Sequence, residues 1–535
     1  MRRFENIYGW KMSEILTSAQ MRAVEEAAIS SGAVSGLELM ERAGRGVVEA
    51  IFEHWPELET TPGTASVLCG PGNNGGDGFV VARLLEAMGW QVDCYLYGTA
   101  NTLPPDARTN YDRWAKDHPV PSLTALLKTC RTGPGRTDSL FIDAVFGIGL
   151  TRPLADDLRG VFAAQSGGRL ARHCVAIDIP SGLDADSGRM LRPEGPAEPD
   201  APGCVADLTV TFHAPKPGHL LAEGPRHCGR LVVKSIGLAP AGKTGAPLQQ
   251  IGPDTLSAHQ LDKRESGHKY THGHALVLSG GPGKGGAARL AARAALRVGA
   301  GLVTLACPEA ALAENAARLT AVMLAPLSDP AALGDLLVDA RLNALCLGPG
   351  LGQDAARALV PVALASRRAT VLDADALSAF ADDPAQLFAR LHAGAVLTPH
   401  MGEFRRLFPD LAEQLQAPPL RGPAVSRLDA VRAAARRAGC TVLLKGPDTV
   451  IADGTGAAAI HSATGTGAAP WLATAGSGDV LAGLITGLLA RGFAPFEAAG
   501  TGTVLHVQCA RQFGPGLISE DLPEQLPAVF RTLGL

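Results

Sequence analysis

Two stretches of this sequence hold the residue types best suited to chemistry. In "TAGSGDVLAGLITGLLARG" a Gly-Ser-Gly turn (Gly476–Gly478) leads into an apolar helical run, with Asp479 in its first turn. Backbone N–H groups of such a turn, reinforced by the helix N-terminus, suit a phosphoryl group. A carboxylate at that point can take the proton of a substrate hydroxyl as the hydroxyl attacks phosphorus. The plainer reading is that Asp479 only stabilises the helix dipole, but that role does not require the Gly-Ser-Gly approach. In the other stretch, "CGPGNNGGDG", Asn73, Asn74 and Asp77 sit among glycines at a second helix start. Glycines let backbone N–H groups approach an anion, and the Asn carbonyls can accept a cation. Gly70, Gly72 and Gly75 also match GxGxxG, with Asp93 further on, which would fit hydride transfer on a dinucleotide. Gly281, Gly283 and Gly286 match the same pattern, so in a chain with 63 glycines it discriminates little. Neither stretch ends in the GK[ST] of a Walker A loop.

Further polar groups stand where strand-like runs end. "DAVFGIGLTRP" supplies Asp143, and "DIPSGLDADSG" supplies Asp178 and Ser181. Asn74, Asp143 and Ser181 are hard oxygen ligands, which fit an alkali or alkaline-earth ion. Asp178, partly desolvated in such a site, is expected to have a raised pKa and to act as acid or base. Later in the chain, "LLKGPDT" sets Lys445 and Thr449 around Gly446, as a nucleotide phosphate would require. "GPGLG" (Gly348–Gly352) allows close backbone approach, and "LTPHMGEF" brings His400 to a strand-to-helix junction.

The elements that must position these residues repeat one theme. Thr17 or Ser18 can cap a helix through Met21, Val24 and Ala28, and a second helix is expected over Leu37–Phe52. Strand-like runs then alternate with helical stretches: "ASVLCG", "QVDCYLYG", "SLFIDAVFG", "HCVAIDIPSG", "DLTVTF" and "RLVVKSIGL". Continuous apolar runs of this kind suit strands buried on both faces of a largely parallel sheet. The Pro/Gly/Ala-rich stretch 239–250 reads as a linker. Beyond it the alternation restarts with "HALVLSGG", "GLVTLACP", "NALCLGPGLG", "ATVLDADAL", "GAVLTPH" and "TVLLKGPDTVIAD". Ligands of open α/β sheets bind beyond the carboxyl ends of strands, where each polar motif falls.

Bulk properties agree. A chain of 535 residues, 46% hydrophobic and 19% charged, folds as at least two domains. Net charge of -4 and 5% aromatics argue against nucleic-acid or membrane partners. The ten cysteines are scattered without a CxxC pair, as in reduced cytoplasmic proteins. "MRRFENIYGWKMSE" is basic but has no apolar core, so no signal peptide is expected, and Met12 is an alternative start.

Two families share these motifs. "LMERAG", "GPGNNGGDG", "DAVFGIGL", "DIPSGLDADSG" and "KPG", over residues 14–238, resemble the NAD(P)H-hydrate epimerases, or YjeF N-terminal domains. The resemblance implies a Rossmann-like three-layer αβα fold. It implies that hydrated NAD(P)H contacts Asn73, Asn74, Gly75, Gly76 and Asp77, the loop Gly147, Ile148, Gly149, Leu150, Thr151, Arg152 and Pro153, and Asp178. Potassium would sit on Asn74, Asp143 and Ser181. From residue 251 to 535, "GAGLV", "GPGLG", "DADAL", "TPHMGEF", "KGPDT" and "GSGDVLAG" resemble the ADP/ATP-dependent NAD(P)H-hydrate dehydratases, of ribokinase-like αβα fold. There Ala287, Gly352, His400 and Asp479 would contact the hydrate. Lys445, Gly446, Pro447, Asp448, Thr449 and Gly478 would contact ADP or ATP, with magnesium. "APWLATAG" replaces the Asn-Pro-Gly-Met-like stretch of many members, around Trp471. The joint expectation is a cytoplasmic, homo-oligomeric enzyme that epimerises the hydrate and dehydrates its S form at the expense of ADP. The alternative is a vitamin or sugar kinase with an N-terminal binding module, which "TPHMGE" and the intact first-half motifs disfavour.

Overall fold

The computed structural model describes residues 13–132, 138–195, 203–240, 246–263 and 267–535. The N-terminal residues 1–12, with Met12, lie outside them. The chain divides into two compact units. One holds the described residues of 14–245 together with 417–426; the other holds Ser13, 246–416 and 427–535.

In the first unit, Thr17 accepts a hydrogen bond from the Gln20 N–H and completes a capping box on the helix Ser18–Ser30. Ser35 caps the next helix, Gly36–His54. Six strands follow: β2 (Thr64–Cys69), β3 (Gln91–Leu96), β4 (Asp138–Ala144), β5 (Ala171–Ile177), β6 (Leu208–Phe212) and β7 (Arg230–Lys234). They form a fully parallel sheet in the order β3-β2-β4-β5-β6-β7. Alternate strand residues serve opposite faces. Val67, Ile142, Val175 and Val210 pack with Val47, Ile51 and Val80. Leu68, Phe141 and Ala176 pack with Leu126, Leu158 and Phe162. That is a three-layer αβα unit. Strand order reverses between β2 and β4, so the loops leaving those two strands flank the crevice where such sheets bind ligands.

The second unit carries an 11-stranded sheet. Its strands are β1 (Ser13–Glu14, of which Ser13 belongs to this unit), β8 (Leu248–Gln250), β9 (His274–Leu278), β10 (Leu302–Cys307), β11 (Met323–Pro326), β12 (Leu342–Leu347), β13 (Ala369–Leu372), β14 (Ala395–Leu397), β15 (Thr441–Leu444), β16 (Asp448–Ala452) and β17 (Ala458–Ser462). The order is β1-β8-β17-β16-β15-β14-β13-β12-β9-β10-β11, reversing between β9 and β12. Pairing is parallel from β11 through to β15, and antiparallel across β15-β16 and β16-β17. The run "TVLLKGPDTVIAD" is therefore a hairpin, β15 turning into β16 through Lys445–Pro447, and not one strand. Within the stretch 239–250, Leu248–Gln250 is a strand paired to β17, because Leu248 and Gln249 are buried on that sheet; 241–245 lie outside the described residues. One face of the sheet is covered by Ala-rich helices Gly286–Arg297, Ser477–Ala490 and Pro495–Phe513, whose Ala291, Ala295, Ile485 and Leu505 are fully buried. No described helix is long and apolar enough to cross a membrane.

Candidate active sites

The first site assembles at the β2/β4 reversal. Gly70 and Gly75 are needed for packing: a Cβ on Gly70 would meet the Val145 carbonyl oxygen, and one on Gly75 the Gly70 carbonyl. This brings the start of helix Asn73–Ala87 against the end of β4. Asp143, fully buried, is the last residue but one of β4. Its carboxylate accepts from the Ser181 N–H (2.8 Å), Ser181 Oγ (2.7 Å) and Val145 N–H (3.1 Å). Burial nevertheless holds its pKa above the ordinary value, against those hydrogen bonds. Asn74 Nδ2 donates to the Ile177 carbonyl (3.3 Å). A Cβ on Gly147 would lie 2.8 Å from Asp178 Oδ2 and 3.6 Å from the Asn74 amide. So Asn74, Gly147 and Asp178 converge, and Asp143 and Ser181 bind each other directly.

Asp178 follows β5 in the left-handed region, at φ 65°, an uncommon conformation for a residue other than glycine. Its Oδ1 accepts from Lys216 Nζ (2.9 Å) and Thr211 Oγ1 (3.0 Å), and its Oδ2 from the Ile148 N–H (3.1 Å). Burial alone would raise its pKa, as the sequence suggested. The structure reverses that: the adjacent Lys216 ammonium, with help from His219 and Thr211, outweighs burial and brings it below the ordinary carboxylate value. Lys216 is the residue that sequence reasoning missed. It is the Lys of "KPG", 1% exposed, with further bonds to Thr211 Oγ1 (2.8 Å) and the Phe212 carbonyl (3.3 Å). Asp77 and Glu25 shift the other way. Burial raises Asp77 well above its ordinary value, with the charges of Asp178 and Glu25 adding to it. Burial and Asp178 likewise raise Glu25. The pKa of one carboxyl is thus lowered while those of its two neighbours are raised.

The second site spans the ends of β9, β12, β13, β14 and β15. A Cβ on Gly350 would lie 3.4 Å from Ala287 Cβ, and the Gly352 N–H donates to Asp375 Oδ2 (2.9 Å). Lys445 Nζ pairs with Asp373 Oδ1 (2.7 Å) and lies 3.9 Å from Glu403 Oε2. The Lys445 N–H donates to the Pro399 carbonyl (2.9 Å). His400 caps the helix Met401–Leu407 through Nδ1, which accepts from the Gly402 (2.9 Å) and Glu403 (3.3 Å) N–H groups; its imidazole is 55% exposed. A Cβ on Gly478 would sit 3.3 Å from Lys445 Nζ and 3.9 Å from Asp373 Oδ2. Gly476, the N-cap, has φ +89°, so the turn requires glycine there. Of the expected anion-hole donors, Ser477 N–H is directed at the Thr474 carbonyl (3.4 Å). Burial and the negative charge of Asp373, opposed by Lys445, raise Asp479 to about 6. Asp373 and Glu403 are additions to the residues read from sequence.

A cavity of about 510 Å³ adjoins this cluster. Lys445, Gly446, Pro447, Thr449 and Gly478 line one end, and Pro470, Leu472, Leu481 and Val507 give it an apolar wall. Asp448 is not on that wall; it faces Arg427 at 3.5 Å, whose other nitrogen donates to the Lys445 carbonyl (2.6 Å). Trp471 is 47% exposed and outside the lining. His506 does line it, with Nε2 unpartnered and its pKa lowered to about 4 by burial, so the ring is neutral.

Known proteins show the same two parts. Residues 36–218 match the family described as YjeF-related protein N-terminus, and 275–526 match NAD(P)H-hydrate dehydratase. The chain is 37% identical to the bifunctional NAD(P)H-hydrate repair enzyme of Moorella thermoacetica, over 97% of both chains. It is 50% identical to the NAD(P)H-hydrate epimerase of Rhodobacter capsulatus, over 42% of this chain and all of that protein. Among solved structures it is similar to the ADP/ATP-dependent NAD(P)H-hydrate dehydratase of Bacillus subtilis co-crystallised with ATP/Mg2+, at 27% identity over 51% of this chain and 94% of that one (TM-score 0.41). With this full-length kinship and a polar site at the reversal point of each sheet, the chain belongs to the bifunctional NAD(P)H-hydrate repair enzymes, which join an epimerase to a nucleotide-dependent dehydratase.

Proposed function

We propose that Asp178 and Asp77 work as an opposed pair in epimerisation, and Asp479 as the base of an ADP-driven dehydration of the S hydrate. The observation that carries this reading is the contrast in carboxyl environments. Burial of Asp178 is outweighed by Lys216, which lowers its pKa, while burial and the charge of Asp178 raise that of Asp77 well above the ordinary carboxylate value. Inverting a hydroxylated ring carbon requires its bond to the hydroxyl oxygen or the ring nitrogen to break and re-form on the other face; one group of the pair can protonate the departing atom and the other can take the proton back as the bond re-forms. Asn73, Gly75, Gly76 and the loop Gly147–Pro153 would hold the substrate.

A potassium ion is proposed on Asn74, Asp143 and Ser181. A buried carboxylate, a hydroxyl and an amide fit a hard monovalent ion, and the burial-raised pKa of Asp143 is the cost such an ion would relieve. Asp143→Ala should weaken potassium and hydrate binding in epimerisation and leave dehydration of the S form intact. Potassium titration of both activities checks this; equal potassium dependence in the variant and the parent protein would remove the site.

In the second site, Ala287, Gly352 and His400 would border the hydrate, and Lys445, Thr449 and Gly478 the phosphates. Magnesium commonly binds through one or two carboxylates plus substrate phosphates. Asp373 and Glu403, beside Lys445, would hold it, neutralising phosphate charge. Asp479 takes the proton from the ring hydroxyl as its oxygen bonds to the transferred phosphoryl group and the bond to the nucleotide breaks; the phosphate then leaves with the C–O bond electrons, and loss of a proton from the adjacent ring carbon restores the double bond. A base of pKa about 6 is active only when ionised, so dehydration should rise with pH up to about 6 and level off above it. A profile already flat well below that value would exclude Asp479 as the titrating base.

The full chain, mixed with both hydrate epimers and ADP or ATP, should restore dihydronicotinamide absorbance completely. Without nucleotide it should only equilibrate the epimers. Residues 246–535 alone should convert only the S form; a well-folded but inactive fragment would refute this division of labour. The nine buried free thiols among the described residues support a reducing, cytoplasmic location, and a homo-oligomer is to be tested by sedimentation.

A further inference from the structure

The first unit contains a segment that its own half of the sequence does not supply. Residues 417–426 lie in sequence between dehydratase motifs, yet belong to the compact unit that holds the β2/β4 crevice. We propose that 417–426 is a strut that fixes the substrate loop Gly147–Pro153 in its binding shape. This rests on the reading that this loop contacts the hydrate.

The loop contains Gly147 and Gly149, and nothing lies within 4 Å of where a Gly149 Cβ would be, so its middle has little stiffness of its own. Its first half is tied to the epimerase sequence. The Ile148 N–H donates to Asp178 Oδ2 (3.1 Å), and Arg22 Nη2 donates to the Ile148 carbonyl (2.7 Å). Its second half meets the strut. The Gly422 N–H donates to the Thr151 carbonyl (3.1 Å). Ala424, 7% exposed, forms a small apolar cluster with Leu150 and Leu191, against which Phe146 packs. A Cβ on Gly422 would lie 2.6 Å from Asp184 Oδ2 and 2.9 Å from the Leu150 carbonyl, so the approach is a close one. The strut is itself anchored: the Arg192 N–H donates to the Pro419 carbonyl (3.0 Å) and Arg189 Nη2 to the Ala417 carbonyl (2.6 Å).

The two halves of the loop are therefore fixed from different parts of the sequence. The half nearest Asp178 is held by residues of the epimerase motifs. The half carrying Leu150–Pro153 takes its shape from residues that follow the TPHMGE motif. A loop ordered before substrate arrives does not have to be ordered by substrate, so losing the strut weakens binding more than turnover. The strut residues are positioning residues, remote from the reacting carbon.

The test uses the full-length protein without nucleotide, so that epimer interconversion alone is followed. Gly422→Val and Ala424→Asp should each raise the epimerisation KM about tenfold with little change in kcat. Ala424→Cys, similar in size and uncharged, should restore the parent KM. Dehydration of the S form, assayed with nucleotide, should be unaffected in all three. Gly149→Val separates the loop from its support. If it leaves epimerisation untouched, the loop does not contact the hydrate and the proposal falls with that reading. If it raises KM while Gly422→Val and Ala424→Asp do not, the loop binds substrate without a strut and the proposal alone is overturned. Should the strut variants fail to fold, a specific protease site inserted after the exposed Arg421 allows the segment to be cut in the folded protein. A raised KM on cutting supports the strut, and an unchanged KM overturns it.

Discussion

Asp479→Asn should lower the dehydration rate by about 10²–10⁴-fold, the usual worth of a general base, and leave epimerisation unchanged. The substitution nearly preserves shape. It keeps Lys445 paired to Asp373 and leaves Gly478 beside the ammonium, so nucleotide binding should survive. The sign of the stability change is equally diagnostic. If Asp479 served only the helix dipole, its loss would cost about 0.3–1 kcal/mol and hardly touch the rate. The environment argues for the opposite sign. Asp479 titrates near 6 because burial and Asp373 oppose its ionised form. A carboxyl whose pKa is raised on folding destabilises the fold above its unfolded value, so a neutral amide removes a penalty at pH 7. Asp479→Asn should therefore melt at or above the parent temperature while losing dehydration. A folded Asp479→Asn protein with near-normal dehydration would remove Asp479 from the mechanism.

What sequence conveyed and what it withheld follow physical lines. Asp479 was legible because its chemistry is local: the turn, the helix start and the carboxylate are contiguous. The buried parallel strands were legible for the same reason, since each carries a short contiguous apolar run: Val67–Cys69 in β2, Leu140–Ile142 in β4, Ala275–Leu278 in β9 and Ala344–Leu347 in β12. Strands with weaker signals were not. Met323–Pro326 is a half-exposed edge ending in proline, and Ala458–Ser462 is too poor in branched residues to stand out. The hairpin at Lys445–Pro447 merged with its strands because Gly-Pro turns and strand ends look alike in a short apolar run. Pairings over distance were hidden altogether. Nothing near Asp373 indicates that it will hold Lys445, 72 residues later. The same holds for the direction of the Asp178 shift: a carboxylate at a strand end reads as desolvated until its cation is found 38 residues away.

Lys216→Met tests that hidden pairing, and its effects should be large in both stability and activity. Lys216 is 1% exposed, and its ammonium binds Asp178, Thr211 and the Phe212 carbonyl. Removing one member of a buried ion pair leaves the other uncompensated, at a cost of about 3–5 kcal/mol. Without the ammonium, burial should dominate Asp178 and raise its pKa from below to above the ordinary value. The consequences for pH run in a fixed direction. In the parent protein the lowered Asp178 pKa contributes stability above the unfolded carboxylate value, and that contribution is lost as pH falls through the folded one. In Lys216→Met the shift is reversed, so the penalty is greatest at neutral pH and fades on acidification. The stability gap between the two proteins should narrow as pH is lowered. Epimerisation at neutral pH should fall by about 10²-fold or more, because Asp178 no longer stands as the ionised partner of Asp77. Dehydration of the S form should be unaffected. The double variant Lys216→Met/Asp178→Asn separates structure from chemistry. With both charges gone, much of the lost stability should return, while epimerisation stays low. If Lys216→Met keeps full epimerase activity with an unshifted pH profile, the pair is structural only, and Asp178 does not act through its charge.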